Sequence, residues 1–274
     1  MSTPYVIYAL FAFVLGAVVG SFLNVCICRM PEGESVVSPP SHCPKCDYRI
    51  RWYDNIPILS YLLLRGKCRG CQAPISLTYP MVELLNGLLT LALFVRFVPQ
   101  RLLAEAPLDM ILAQGPAFAV LFVFCSALVV VTFIDLEHQI IPDSITLPGI
   151  VVGFLASAFI TPIGWLASLI GIAAGGGSLL LIAYGYELVA KKEGMGGGDV
   201  KLLAMMGAFL GWKAIIFIIF TASLMGSVIG VCVMLAQKKD ASLAIPFGPF
   251  LAGGAVFYIF YGPRIIHWYL AMGS

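Results

Sequence analysis

The sequence predicts an all-α polytopic membrane protein of about eight transmembrane helices, with one small polar domain after the first helix. Of its 274 residues, 60% are hydrophobic and 11% are charged, whereas about 25% of the residues in an ordinary soluble domain are charged. The apolar residues form long runs, and roughly 20 such residues cross the hydrocarbon core as a helix. The net charge is only +2 and the aromatic residues lie within apolar runs, so nucleic acid is not an expected partner. The lipid bilayer is the expected environment.

Eight apolar runs account for the predicted helices. They cover residues 5–27, 79–98, 110–134, 145–160, 165–190, 200–212, 214–236 and 245–261. No Lys or Arg precedes Arg29, so we interpret the first run as a retained helix and not as a cleaved signal peptide. The run at 200–212 is short for a full span, and the run at 165–190 contains three consecutive glycines from Gly175, which can interrupt a helix.

The basic residues predict how the chain is oriented, because cytoplasmic loops carry the excess of Lys and Arg. With the N-terminus outside, the inside segments hold Arg29, Lys45, Arg49, Arg51, Arg65, Lys67, Arg69, Lys191, Lys192, Lys201, Lys238 and Lys239. The outside segments hold Arg96, Arg101, Lys213 and Arg264. We therefore divide the chain into a first transmembrane helix (1–28), a cytoplasmic domain (29–78) and a membrane-embedded domain (79–274).

Two C-x-x-C pairs in the cytoplasmic domain predict a structural metal site. The pairs are Cys43 with Cys46 and Cys68 with Cys71, separated by 21 residues, close to the spacing of about 15 to 20 found in zinc ribbons. Four thiolates complete a tetrahedral zinc site with no open position. Disulfides are the alternative, but they are rare in a reducing compartment. The other four cysteines, which lie in or near apolar runs and are predicted to be buried packing residues, are Cys26, Cys28, Cys125 and Cys232.

Two aspartates at the ends of apolar runs are candidate functional residues, because a carboxylate bordering the bilayer is costly. Asp135 follows the third run directly, and Asp199 follows Gly196, Gly197 and Gly198 at the start of a helix. An aspartate at that place also suits a simple N-cap. The three glycines favour a functional role, because they leave the main chain open to an approaching peptide strand.

The chemistry that needs two carboxylates and no metal is aspartyl proteolysis, in which the pair shares one proton. The helix dipole predicts that Asp199 ionises more readily and that Asp135 keeps the shared proton. For the neighbouring Glu137, His138 and Asp143 we favour an ordinary polar loop over a functional role. An ion-coupled transporter and a zinc-anchored scaffold without chemistry are the competing functional hypotheses.

The chain resembles the bacterial type IV prepilin peptidases, the bifunctional leader peptidases and N-methyltransferases of pilus and type II secretion systems. The resemblance runs through nearly the whole chain. Besides the four cysteines, it is carried by G-S-F-L-N-V at 20–25, P-I-S-L-T-Y-P-M-V-E at 74–83, I-D-L-E-H-Q-I-I-P-D at 134–143, G-M-G-G-G-D-V-K-L-L at 194–203 and I-P-F-G-P at 245–249. The glycine loop is similar to the G-x-G-D signature of presenilin and signal peptide peptidase.

This resemblance implies that Asp135 and Asp199 are the catalytic pair, that residues 196–198 form the active-site loop, and that Asp143 is not catalytic. It implies a multi-pass protein of the bacterial inner membrane whose active site faces the cytoplasm. Its substrates would be prepilins and pseudopilins, cut after the glycine that ends a short basic leader. The new N-terminal residue would then be methylated by S-adenosylmethionine. The sequence contains no glycine-rich methyl-donor fingerprint, so the donor-binding residues are not identified.

Overall fold

The computed structural model describes residues 3–98, 108–191, 196–237 and 246–272. These residues are helical apart from loops and two isolated β-bridges, which confirms the predicted all-α class. The helices are α1 Thr3–Arg29, α2 Leu59–Leu63, α3 Thr78–Phe97, α4 Leu108–His138, α5 Asp143–Phe159, α6 Trp165–Ala190, α7 Gly197–Leu210, α8 Trp212–Gln237 and α9 Gly248–Met272. The following residues named above lie outside the described residues: Arg101, Lys192, Gly194, Met195, Lys238, Lys239 and Ile245.

Each of the eight predicted runs corresponds to one helix of 14 or more residues, but two of these helices are too short to span a bilayer. In the described part of the chain, six are long and apolar enough to do so, namely α1, α3, α4, α6, α8 and α9. Helix α5 has 17 residues and α7 has 14. The glycines from Gly175 do not interrupt α6. The predicted end of the last helix at Tyr261 is wrong, because α9 continues through Pro263 to Met272.

The chain divides into two compact units, Met1–Val130 and Val131–Ser274, with the boundary inside α4. Within the first unit, α1 packs along α3. Buried polar bonds hold this packing: the side-chain amide of Asn86 donates to the main-chain oxygen of Gly16 at 2.7 Å, and Ser126 Oγ donates to Asn86 Oδ1 at 3.0 Å. Buried polar groups in an apolar environment need such partners, so Asn86 sets the register of α1 against α3.

Glu83 connects the polar domain to α3. It lies in the second turn of α3, is buried, and its Oε2 accepts the main-chain N–H of Ile58 at 2.7 Å. Nearby, Asn24 of α1 donates to the main-chain oxygen of Tyr79 at 3.0 Å. The first contact places the segment before α2 against α3, and the second joins α1 to the first turn of α3.

In the second unit, α6 and α7 approach closely at a pair of glycines. A Cβ at Gly171 of α6 would lie 2.9 Å from the carbonyl carbon of Gly207 of α7 and would contact the Gly207 oxygen still more closely. The main-chain oxygen of Ala208, in the last turn of α7, also accepts hydrogen bonds from the neighbouring helices. Ser157 of α5 and Ser168 of α6 both donate to it, at 2.7 and 2.8 Å. This contact fixes α7, the helix that begins with the glycine loop.

We expect Gly171→Ala to destabilise the protein by about 1 to 3 kcal/mol, because its new methyl group meets main-chain atoms that cannot move aside. Gly177→Ala in the same helix is the matched control, since nothing lies within 4 Å of its Cβ position. Thermal unfolding in detergent measures both. An equal melting temperature for the two variants would contradict the role given to the Gly171–Gly207 contact.

Candidate active site and metal centre

Asp135 lies in the last turn of α4 and is buried, with 5% of its surface exposed. The helix ends at His138 because Gln139 adopts a left-handed conformation (φ 55°) and donates its N–H to the Asp135 main-chain oxygen at 2.9 Å. Such a residue satisfies a terminal carbonyl and stops the helix. The local sequence therefore ends α4 with a buried carboxylate in its last turn.

Asp199 is the third residue of α7, and Gly196 occupies the N-cap position without a side-chain cap. The Asp199 N–H donates to the Gly196 oxygen at 3.2 Å. The alternative that Asp199 is the helix N-cap is therefore wrong. Its carboxyl group is left without a capping role.

One cavity of about 250 Å³ in the second unit brings the predicted residues together. It is lined by Asp135, Gln139, Ile140, Ile141, Asp143, Gly196, Gly198 and Asp199. Two carboxylates separated by 64 positions in the sequence thus face one space. Glu137 and His138 are exposed and do not line this cavity. The polar loop predicted at these two positions is wrong, because both residues belong to the last turn of α4.

The three glycines before Asp199 have different surroundings. A Cβ at Gly198 would lie 2.9 Å from Ile141 Cβ, so a side chain there would push apart the two segments that line the cavity. Gly196 and Gly197 are exposed, and no atom lies closer than 4.0 Å to their Cβ positions. Packing therefore explains Gly198, whereas the other two present open main chain beside the cavity.

An ion pair joins the starts of α5 and α7 at the cavity. Lys201 Nζ lies 2.7 Å from both carboxylate oxygens of Asp143. Both side chains are exposed, at 40% and 54%, and such pairs contribute at most about 1 kcal/mol. Asp143 is thus a paired surface carboxylate, unlike the buried Asp135.

The carboxyl groups of Asp135 and Asp199 differ in their hydrogen bonds. The N–H of Gly248 donates to Asp135 Oδ2 at 3.0 Å, whereas Asp199 Oδ1 is buried with no hydrogen-bond partner among the described residues. The contact between Gly248 and Asp135 was not predicted from the sequence. The I-P-F-G-P motif was the available signal, but no local pattern connects residues 113 positions apart.

The pKa of Asp199, which lies outside the six candidate spans, is raised from 3.8 to about 6. Burial is the main cause, and the negative charge of Asp135 raises the pKa further. The helix dipole by itself favours the ionised form of Asp199 and so acts in the opposite direction. The dipole contributes typically 0.3 to 1 kcal/mol near a surface, and loss of hydration outweighs it here.

Asp199→Asn is expected to raise the unfolding temperature at pH 7.5. The folded wild type bears a penalty for ionising Asp199 that is absent below pH 3.8, grows up to about pH 6 and is complete above it. After allowance for solvent screening, we expect a gain of about 1 to 2 kcal/mol. Thermal unfolding at pH 7.5 and 4.5 measures it, and the gain should shrink at the lower pH. An equal gain at both values would assign it to packing instead of charge.

The four predicted cysteines form a cluster in the first unit. Their sulfur atoms all lie within 4.8 Å of one another, with Cys43 to Cys71 and Cys46 to Cys68 both at 3.9 Å. A Zn–S bond of about 2.3 Å gives sulfur separations of about 3.8 Å in a tetrahedron. The donor set and its spacing therefore fit a zinc ion.

The two cysteine turns repeat the same backbone geometry. Asp47 and Gln72, which follow the second cysteine of each pair, both have positive φ angles, 55° and 59°. An isolated bridge closes each turn, His42 with Arg49 and Lys67 with Pro74. The Gly70 N–H donates to the Cys68 sulfur at 3.4 Å, a contact that favours the thiolate that a metal needs.

The other four cysteines do not belong to this cluster. Cys26 and Cys125 are buried, as predicted, whereas Cys28 and Cys232 are exposed. Their predicted burial is therefore wrong for the latter two. Cys28 instead lies with its sulfur 3.4 Å from the Tyr79 hydroxyl.

Comparison with known proteins identifies the family. Residues 14–97 match the bacterial peptidase A24 N-terminal domain, and residues 122–231 match the type IV leader peptidase family. No solved structure shows a significant match to the chain.

Among curated relatives, a prepilin leader peptidase/N-methyltransferase of Myxococcus xanthus is 44% identical over 85% of this chain and 65% of its own length. The chain thus spans just under two thirds of that relative. Proteins of the same name from Aeromonas hydrophila and Burkholderia pseudomallei are 37% and 34% identical, over 97% and 96% of this chain and 95% and 88% of their own lengths. The chain belongs to the type IV leader peptidase family.

Proposed function

We propose that this chain cleaves the leader peptides of type IV prepilins and pseudopilins with Asp135 and Asp199, and then N-methylates the new N-terminal residue. The observation that carries the peptidase proposal is the single cavity lined by both carboxylates and by the main chain of the glycine loop. Family membership supports the substrate class, since relatives similar over nearly their whole length are named prepilin leader peptidase/N-methyltransferase.

The two carboxyl groups supply complementary acid and base roles. In the monoprotonated pair, the ionised carboxylate takes a proton from water while the water oxygen bonds to the scissile carbonyl carbon. The protonated partner gives its proton toward the carbonyl oxygen. Proton transfer to the amide nitrogen then breaks the C–N bond and releases a carboxylic acid and an amine.

The hydrogen bonds favour one assignment of these roles. Asp135 accepts an N–H, which favours its ionised form. Asp199 lacks such a donor among the described residues and has a raised pKa. Asp135 is therefore the base and Asp199 the proton donor in the first step.

The cavity surroundings suit an extended peptide. Gly196 is exposed beside the cavity and Gly197 is exposed next to it, so a substrate strand can hydrogen-bond to their main chain. Ile140 and Ile141 line the same cavity and offer apolar contact to the hydrophobic segment that follows a prepilin leader. Both features lie beside the carboxylates that cut the bond.

The excess of basic residues in segments 29–78 and 191–201 supports a cytoplasmic position for the site in the bacterial inner membrane. The four-cysteine cluster, with Cys43, Cys46, Cys68 and Cys71 as ligands, would hold one zinc ion that stabilises its domain and leaves no open coordination position. S-adenosylmethionine is the proposed methyl donor. We assign no donor-binding residue.

Purified chain in lipid nanodiscs, incubated with a prepilin-like substrate, tests the proposal by mass spectrometry. We expect loss of the leader after its terminal glycine, and a further mass increase of one methyl group when S-adenosylmethionine is added. A substrate whose terminal leader glycine is replaced by valine is the control. Absence of cleavage by folded protein would overturn the peptidase proposal and favour a carrier; cleavage without the mass increase would overturn only the methyltransferase part.

A further inference from the structure

Gly248 is the first residue of α9 and is buried. The first N–H groups of a helix have no partner within it, and the N–H of Gly248 donates to Asp135 Oδ2 at 3.0 Å. A donor from α9 thus reaches the end of α4. It is a contact between main chain and the carboxylate that we propose as the catalytic base.

The absence of a side chain at position 248 is required by this contact. A Cβ there would lie 2.6 Å from Asp135 Oδ2, 3.2 Å from its Cγ and 3.3 Å from Ile141 Cδ1. Gly248 has no positive φ angle, so conformational freedom is not the reason for glycine. Close approach of the carboxylate is the reason.

We propose that Gly248 is a positioning residue, whose N–H holds Oδ2 of Asp135 and whose lack of a side chain leaves room for that carboxylate. Gly248 does not line the cavity itself, so it acts through Asp135. With Oδ2 held by the N–H, Oδ1 is the Asp135 oxygen left for water or for Asp199. The inference rests on the proposed function, because it takes Asp135 as a catalytic group.

Gly248→Ala is expected to lower kcat for leader cleavage by about 10²-fold, the cost of misplacing a reacting group by about 1 Å, with little change in KM. Gly253→Ala in the same helix is the matched control, since its Cβ would meet only the Met225 methyl group at 3.5 Å, an ordinary contact. An unchanged kcat in Gly248→Ala, or a loss confined to KM, would overturn the proposal.

A double variant separates the two neighbours that a new methyl group would meet. Gly248→Ala combined with Ile141→Val removes the Cδ1 contact and leaves the contact with Asp135. We expect the double variant to keep a kcat about as far below that of Ile141→Val as the kcat of Gly248→Ala is below that of the wild type. Recovery close to the level of that single variant would assign the defect to packing against Ile141 and overturn the proposal.

The hydrogen bond can also be observed without any variant at position 248, which covers the case that Gly248→Ala does not fold. Phe247–Gly248 is the only Phe–Gly pair in the sequence. Protein labelled with carbonyl-¹³C Phe and ¹⁵N Gly therefore gives one amide resonance in a carbonyl-correlated NMR spectrum. We expect its proton shift to move upfield in Asp135→Ala and to stay unchanged in Asp143→Asn, which alters another carboxylate of the cavity.

An unchanged amide resonance in Asp135→Ala would overturn the proposal directly. The NMR measurement needs no substrate, so it distinguishes failure of this inference from failure of the proposed function. Wild-type protein that does not cleave would refute the peptidase assignment, while the amide shift would still report whether Gly248 holds Asp135.

Discussion

Replacing either Asp135 or Asp199 with asparagine is expected to lower kcat for leader cleavage by about 10³-fold or more. Asparagine keeps the size of the side chain but can neither take a proton from water nor donate one as an acid. Because the two groups work as one unit, the double variant should lose little more than either single variant. Initial rates with a prepilin-like substrate, measured alongside thermal unfolding, check this expectation.

Asp143→Asn is the matched control for this prediction. Asp143 lines the same cavity, but its carboxylate is exposed and paired with Lys201. Its loss should change kcat only slightly. Full activity in Asp135→Asn or Asp199→Asn would remove that residue from the mechanism, and an equally large loss in Asp143→Asn would show that the cavity responds to any change of charge.

Cys68→Ser is expected to abolish zinc binding and to unfold the segment around residues 43–71. A closed four-sulfur site contributes its binding free energy to folding, typically about 10 to 16 kcal/mol for structural zinc. Helical structure in that segment is limited to Trp52–Asp54 and Leu59–Leu63, and we expect its few polar contacts, such as Arg69 with Asp54, to be too weak to replace the zinc. Metal analysis should find one zinc per wild-type chain and only a trace in the variant, with faster proteolysis within the segment.

Cys232→Ser is the control for zinc binding, because Cys232 is an exposed cysteine of α8 outside the cluster. It should retain one zinc per chain and resist proteolysis like the wild type. Zinc content that stays at one per chain in Cys68→Ser would contradict the four-sulfur site. Loss of zinc in Cys232→Ser would contradict the assignment of the ligands.

Much of the site was predictable from short patterns. The two C-x-x-C pairs predicted the sulfur cluster because a tight turn places both cysteines of a pair on one side. Asp135 and Asp199 stood out because a carboxylate is costly beside an apolar run. The capping alternative for Asp199 could not be decided from sequence, since the exact start of a helix depends on where its packing begins; the structure places Gly196 at that position.

The rise in the pKa of Asp199 could not be predicted from the sequence, for a related reason. The helix dipole can be inferred from position along one helix, whereas burial depends on every element packed around the group. The sequence therefore shows the effect of the dipole on the pKa but not the larger effect of burial.

The sequence alone determined the membrane class, the approximate positions of the helices, the two C-x-x-C pairs and the two candidate carboxylates, because each depends on composition or on residues within a few positions of one another. Only the tertiary structure decided that these carboxylates line one cavity, that Gly198 packs against Ile141 with no room for a side chain, and that the Gly248 N–H donates to Asp135. Those contacts join residues 57 to 113 positions apart. They exist because close helix packing, as at Gly171 and Gly207, brings distant segments together, and no local pattern records that approach.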